Sequence, residues 1–229
     1  MCTLEKQGNL FILTLTGDDE HRLSLSLIDS IRSALNRVTA EATAGSALIT
    51  TAQGKFFSNG ADLVWILTDP SHLPLIESKI RSLTSDLFNL PMPTIAAVTG
   101  HASAGGGVLA MSHDYILMRK DRGFLYINEI NIGVRIPAWC AALVRSKVKS
   151  PAAWRDVLLR GTKLTADVAI ELGIVDSAHV GAAETVKAAV KLGEELAARK
   201  WDGKVYARSR RVVFSDVLDA LTNGTVSRL

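Results

Sequence analysis

Chemistry is concentrated first at Glu129, a carboxyl set among apolar residues in the run I-N-E-I-N-I-G at 127–133. Ionising it there is costly without a partner or a task. Upstream stand three adjacent glycines, Gly105, Gly106 and Gly107, in T-G-H-A-S-A-G-G-G-V-L-A-M at 99–111. Glycine weakens a helix, so three in succession mark a backbone that turns tightly or approaches something closely. A third stretch, F-S-N-G-A-D-L at 57–63, places the turn signal Asn59-Gly60 before a helix start that Asp62 or Asn59 can cap. A strand that runs into a turn and then a helix leaves backbone N–H groups unpaired. Together these stretches describe a backbone donor site with a poised base nearby.

The elements that must position them alternate in type. Apolar, β-rich runs at 10–16, 47–51, 94–98 and 115–118 read as strands, and 124–127 leads up to Glu129. Helical spacing runs through 24–38, with Leu25, Leu27, Ile28, Ile31, Leu35 and Val38 on one face. It recurs at 76–90, with Ile80, Leu83, Leu87 and Leu90 aligned, after a break at 70–74. Short helices are expected at 108–111, 137–144, 152–160 and 166–172, and a long one at 182–199. The segment 200–221 is helix-like and more basic. Strands that alternate with helices, followed by helices alone, give an α/β fold with a helical C-terminal part.

Composition excludes several classes. The chain has 229 residues, 48% hydrophobic and 21% charged, enough for a sizeable core. A net charge of +3 does not indicate a nucleic-acid binder. Cys2 and Cys140 form no metal-type spacing, and the five histidines are scattered, so no metal site is expected. No apolar run is long enough to span a bilayer. The N-terminus M-C-T-L-E-K-Q-G-N-L lacks the layout of a signal peptide. The chain ends Ser227-Arg228-Leu229, a variant of the Ser-Lys-Leu peroxisomal address, so a peroxisomal location and an import receptor as partner are expected.

Three stretches in order, K-F-F-S-N-G-A-D-L at 55–63, P-T-I-A-A-V-T-G-H-A-S-A-G-G-G at 93–107 and I-N-E-I-N-I-G at 127–133, resemble the crotonase (enoyl-CoA hydratase/isomerase) superfamily. A G-x-V-D ending at 173–176 agrees. Within it the chain is most similar to peroxisomal Δ3,Δ2-enoyl-CoA isomerases of the plant type. The resemblance implies a crotonase-like spiral of ββα units over 1–180 and a helical region over 181–229 that builds a homotrimer or hexamer. It implies an acyl-CoA thioester as substrate and no separate cofactor, CoA being part of the substrate. It implies an oxyanion hole from the N–H groups of Ala61 and Gly106, with Glu129 as catalytic base. Substrate contacts are expected from Ser58, Asn59, Gly60, Asp62, Leu63, Gly105, Leu109 and Trp139.

Hydratases of this superfamily carry two glutamates, and the first falls where this chain has Leu109. One carboxylate is enough to move a proton between two carbons of the same substrate, which favours isomerase over hydratase. The alternatives are hydration by Glu129 alone, or an acyl-CoA-binding protein without turnover. Trp65, Ile66, Leu67, Arg135, Pro137 and Cys140 are candidates either for the acyl pocket or for the core. Asp114 reads as a turn residue. The cluster Lys200, Lys204, Arg208, Arg210 and Arg211 reads as a solvated helix face or as a contact for CoA phosphates.

Overall fold

The computed structural model describes residues 1–148 and 150–223. Two sheets organise it. The larger contains β1 (Cys2–Gln7), β2 (Leu10–Leu15), β3 (Ala47–Ala52), β5 (Thr94–Val98), β7 (Tyr115–Arg119) and β9 (Ser177–His179), in the order β1-β2-β3-β5-β7-β9. The smaller contains β4 (Phe56–Ser58), β6 (His101–Ser103) and β8 (Leu125–Tyr126), in that order. Only β1 and β2 pair antiparallel; every other pairing of named strands is parallel. Parallel neighbours need a crossover. Here the chain leaves a strand of the large sheet, passes through one of the small sheet, and returns by way of a helix, turn after turn. This is the expected ββα spiral.

Strands β3 and β5 are buried along their whole length, threonines included, because both faces are covered. Leu48, Ala96 and Val98 pack inward on the main core. Ala47, Ile49, Ile95 and Ala97 point the other way, onto Ala189 and Ala197 of α8 (Ala182–Ala197). Gly193 lets α8 settle closely, since a Cβ there would lie 3.2 Å from Leu10 and 3.3 Å from Ile49. Helix α1 (Leu25–Glu41) is capped by Ser24, whose hydroxyl accepts from the Leu27 N–H, and it buries Leu27, Ile28, Ile31, Leu35 and Val38 as its spacing predicts. Helix α2 (Leu63–Ile66) is a single turn capped by Asp62. Helix α3 (His72–Phe88) starts earlier than the spacing predicts, because Pro74 falls in its first turn, where a proline costs little.

Helix α4 (Gly105–Met111) and α5 (Ala138–Lys147) flank the small sheet. The run at 152–160 is not one α-helix: α6 (Pro151–Trp154) widens into a π turn at Arg155–Leu159. Helix α7 (Ala166–Glu171) precedes β9, and the basic segment divides into α9 (Gly203–Val213) and α10 (Ser215–Asn223). Among the described residues no helix is long and apolar enough to cross a membrane. Ser227, Arg228 and Leu229 lie outside the described residues.

Two expectations are corrected here. Arg210 is neither solvated nor turned toward a ligand: it is 5% exposed. Its guanidinium holds Asp114 at 2.8 Å (Nε to Oδ1) and 2.5 Å (Nη2 to Oδ2). It also donates to the carbonyls of Leu87, Leu90 and Met92. Asp114, in turn, is more than a turn residue, for it also accepts the Thr94 N–H at 2.9 Å. The pair fastens α9 to the end of α3 and the start of β5. A planar five-donor fork suits a cluster of carbonyls that no solvated lysine would reach.

Candidate active site

All three chemistry-bearing stretches leave the small sheet at the same end. Ala61 follows β4, the glycine run follows β6, and Glu129 follows β8. The strands are adjacent and parallel, so residues at equivalent places after each strand are brought side by side.

The turn 59–61 is packed directly on the turn 103–105. Gly60 has φ +74, and a Cβ there would sit 2.8 Å from the Ser103 carbonyl and 3.1 Å from the Gly105 nitrogen. The Leu23 N–H bonds the Gly60 carbonyl at 2.7 Å and pins the turn from behind. Ala104, just before the helix, is held at φ +49, a strained value for a residue with a side chain. Its N–H bonds the Tyr126 carbonyl at 2.8 Å, which ties the strain to β8.

Each glycine of the run meets a different neighbour. A Cβ on Gly105 would stand 3.6 Å from the Ala61 nitrogen, so the two helix starts face each other. On Gly106 it would overlap the Ser58 carbonyl oxygen and lie 2.8 Å from its carbon. On Gly107 it would stand 3.0 Å from Ile127 and 3.1 Å from the Tyr126 carbonyl. The amides of Gly105, Gly106 and Gly107 are in the first turn of α4, where a helix supplies no acceptor. Gly106→Ala is therefore expected to push α4 off β4 and lower turnover about tenfold to a hundredfold, since a displaced donor loses much of what a lost one does. Steady-state kinetics on the folded variant check this; unchanged turnover would show that the donors lie elsewhere.

Glu129 opens a 3-10 turn, Glu129–Ile132, that Gly133 closes in the left-handed conformation at φ +71. Burial raises the Glu129 pKa, against a smaller lowering by its own backbone N–H. Its Oε2 is buried without a hydrogen-bond partner among the described residues, as are Asn128 Oδ1 and Trp139 Nε1. All three residues line one cavity of about 250 Å³, space for a chain rather than for a single ion. Its walls are mostly apolar, with Leu63, Ile66, Leu73, Ile76, Ile80 and Val108 among them. Cys140 faces it too, its thiol pushed far up by burial and then by the charges of Glu129 and Glu77. The thiol is thus an apolar wall residue, not a nucleophile. Among the described residues no group of three or more His, Cys, Asp or Glu side chains is placed to hold a metal ion.

Of the residues singled out from the sequence, Asn59, Ala61, Leu63, Gly105, Glu129 and Trp139 line this cavity, together with Ile66, Arg135, Pro137 and Cys140. Ser58, Gly60, Asp62, Gly106 and Leu109 contribute no side chain to that lining. Ser58 is fully buried and donates its hydroxyl to the His21 carbonyl at 2.8 Å. Asp62 is occupied as the α2 cap, accepting the Trp65 N–H at 3.3 Å. Leu109 is in the core at 3% exposure, so no carboxylate occupies that position on the wall of the small sheet. Trp65 and Leu67 lie outside the lining; Trp65 instead stacks on His72 at 3.8 Å between ring centroids. Sequence reasoning missed Glu77, Arg22, Asn128 and Ser103. Glu77 had a readable signal, as a lone acid between Ile76 and Ile80 on the apolar side of α3.

Comparison with known proteins agrees with this geometry. A family model described as enoyl-CoA hydratase/isomerase matches residues 5–209. The chain is 57% identical to enoyl-CoA delta isomerase 1, peroxisomal, of Arabidopsis thaliana, over 95% of this chain and 91% of that one. It is 50% identical to enoyl-CoA delta isomerase 2, peroxisomal, of the same plant, over 96% and 95% of the two chains. Among solved structures, a probable enoyl-CoA hydratase of Mycobacterium tuberculosis superposes with a TM-score of 0.89, covering 97% of this chain and 92% of that one at 20% identity, a likeness of fold. Motifs, spiral and full-length relatives converge: the chain belongs to the enoyl-CoA hydratase/isomerase family.

Proposed function

We propose that this protein is a Δ3,Δ2-enoyl-CoA isomerase, shifting a 3-cis or 3-trans double bond to 2-trans so that unsaturated acyl chains can continue through β-oxidation. The observation that carries the reading is the Glu129 carboxylate, one oxygen of which is buried without a partner among the described residues, beside two facing helix starts in a mostly apolar cavity, with leucine where the family's second glutamate would stand. The Glu129 carboxylate takes a proton from C2 of the 3-enoyl thioester. The electron pair moves onto the thioester oxygen, giving a dienolate. Glu129, now protonated, returns the proton to C4, and the C3–C4 double bond becomes C2–C3. Atoms and charge balance without a redox group or a metal ion. The N–H groups of Ala61 and Gly106 are assigned to the oxygen, where negative charge develops. Burial supports the double role of Glu129, since a raised pKa brings acid and base forms closer in energy at neutral pH.

A peroxisomal location is supported by the two relatives named peroxisomal, and a homotrimer or hexamer built through the region 181–229 is part of the same proposal. The test is turnover of 3-hexenoyl-CoA to 2-trans-hexenoyl-CoA by the purified protein. Absence of isomerisation with hydration of 2-hexenoyl-CoA would replace this reading with a hydratase; binding without turnover would replace it with an acyl-CoA-binding protein. Leu109→Glu probes the discriminator. The variant is expected to lose thermal stability, because it buries a carboxyl in the core, and to gain hydration of 2-trans-hexenoyl-CoA above wild type. Hydration no faster than wild type in the folded variant would place the distinction elsewhere.

A further inference from the structure

Glu77 and Trp139 introduce polarity into a cavity that otherwise suits a hydrocarbon chain. Glu77 is on α3 with Leu73, Ile76 and Ile80, and all four line the cavity. Its carboxylate has no hydrogen bond or ion pair among the described residues, whereas Arg22, on the same lining, is held by Glu20 at 2.6 Å. Trp139 is 3% exposed, and its indole N–H has no acceptor among the described residues. Glu77 on α3 and Trp139 on α5 line the same cavity. The depth of Glu77 follows from the helix. The Ile80 side chain reaches to 3.4 Å from where a Gly105 Cβ would stand, beside the proposed oxyanion donors. Glu77 is three residues nearer the start of α3, about 4.5 Å further along the axis. A chain that runs from those donors along α3 toward its start would meet Glu77 several carbons from the thioester.

We propose that the cavity is specific for acyl chains that bear a hydroxyl group beyond the reacting carbons, with Glu77 and Trp139 as the residues that recognise it; this rests on the acyl-CoA reading above. An ionised carboxylate only accepts hydrogen bonds and an indole N–H only donates them, while a hydroxyl does both. A ketone would satisfy Trp139 and leave Glu77 unmatched. A plain alkyl chain displaces water from both groups and offers nothing in return, which a desolvated polar group penalises. Sites that hydrogen-bond a substrate hydroxyl discriminate strongly against the analogue lacking it.

The experiment uses 3-decenoyl-CoA and a series carrying one hydroxyl at successive carbons from C6 to C10. With wild-type protein, kcat/KM at one or two adjacent positions should exceed that of the plain chain about tenfold to a hundredfold. Glu77→Leu should abolish that preference and raise kcat/KM for the plain chain. Trp139→Phe, which keeps the ring face and removes the N–H, should lower kcat/KM for the preferred hydroxylated chain more than for the plain one, so that the ratio between them shrinks. A flat series in wild type identifies Glu77 as a carboxylate solvated at the mouth and overturns the proposal. Equal losses for all substrates in both variants, or a preference that survives both, also overturn it. Dissociation constants for the same series, measured by calorimetry, read the preference independently of turnover. A protein that prefers the hydroxylated thioester in binding but isomerises none of them would refute the isomerase reading and leave the subsite standing.

Discussion

Glu129→Gln is expected to lower isomerisation of 3-hexenoyl-CoA by about 10³–10⁴-fold, with KM little changed. The amide preserves shape and volume but cannot accept a proton from carbon, and general-base catalysis supplies about 10²–10⁴ in rate. The upper part of that range applies because the same group both removes and returns the proton. A pH profile adds a signature that a structural role would not produce. Burial lifts the Glu129 pKa above its ordinary value of 4.5, and the base must be deprotonated to act. Wild-type kcat/KM should therefore fall as pH drops through an ionisation above 4.5, and the residual rate of the variant should be flat there. Substantial turnover by the variant would move the base elsewhere in the cavity. A wild-type profile with no ionisation above the ordinary glutamate range would remove burial from the mechanism.

The largest expected effect on stability is at Arg210. Arg210→Met retains an unbranched apolar stem but strands Asp114, whose side chain is only 13% exposed, and takes a donor from three carbonyls. Removing one partner of a buried pair costs about 3–5 kcal/mol. For a domain of this size that lowers the melting temperature by roughly 6–20 °C. Adding Asp114→Asn should recover part of the loss, because the carboxylate left without its guanidinium is then removed. Thermal denaturation of the three proteins checks this. Kinetics measured well below the transition should give an unchanged KM for CoA esters. A raised KM in folded Arg210→Met would restore the substrate contact that the burial of Arg210 argues against.

Legibility in the sequence followed the length of the signal. Helix α1 was readable because five buried residues fall on one stripe, and β2, β3 and β5 because strands covered on both faces are rich in apolar and β-branched residues. Strand β1, C-T-L-E-K-Q, was not, since it lies at the sheet edge with mostly exposed side chains. The small sheet was nearly invisible. Three-residue strands such as β4 and β6 carry no period, and each pairs with a partner some forty positions away. Yet that sheet brings Ala61, the glycine run and Glu129 together. The site residues were therefore legible as types, from an acid among isoleucines and a run of glycines, while their convergence rested on the family resemblance. Arg210 misled because a cluster of basic residues on a helix is normally solvated; nothing local announces that Asp114, ninety-six positions earlier, is waiting beneath it.

The order of the small sheet, β4-β6-β8, also sets a schedule for refolding. The residues proposed as donors follow the first and second strands, and the proposed base follows only the third, each separated by a long crossover. Closing such distant parallel pairs is slow compared with forming helices. Secondary structure should return early when denatured protein is diluted into buffer, and enzymatic competence should lag behind it. A nascent chain that has emerged only as far as Ser103 would hold the strand pair β4-β6 and the turn at Ala61 but no base, and nothing able to react.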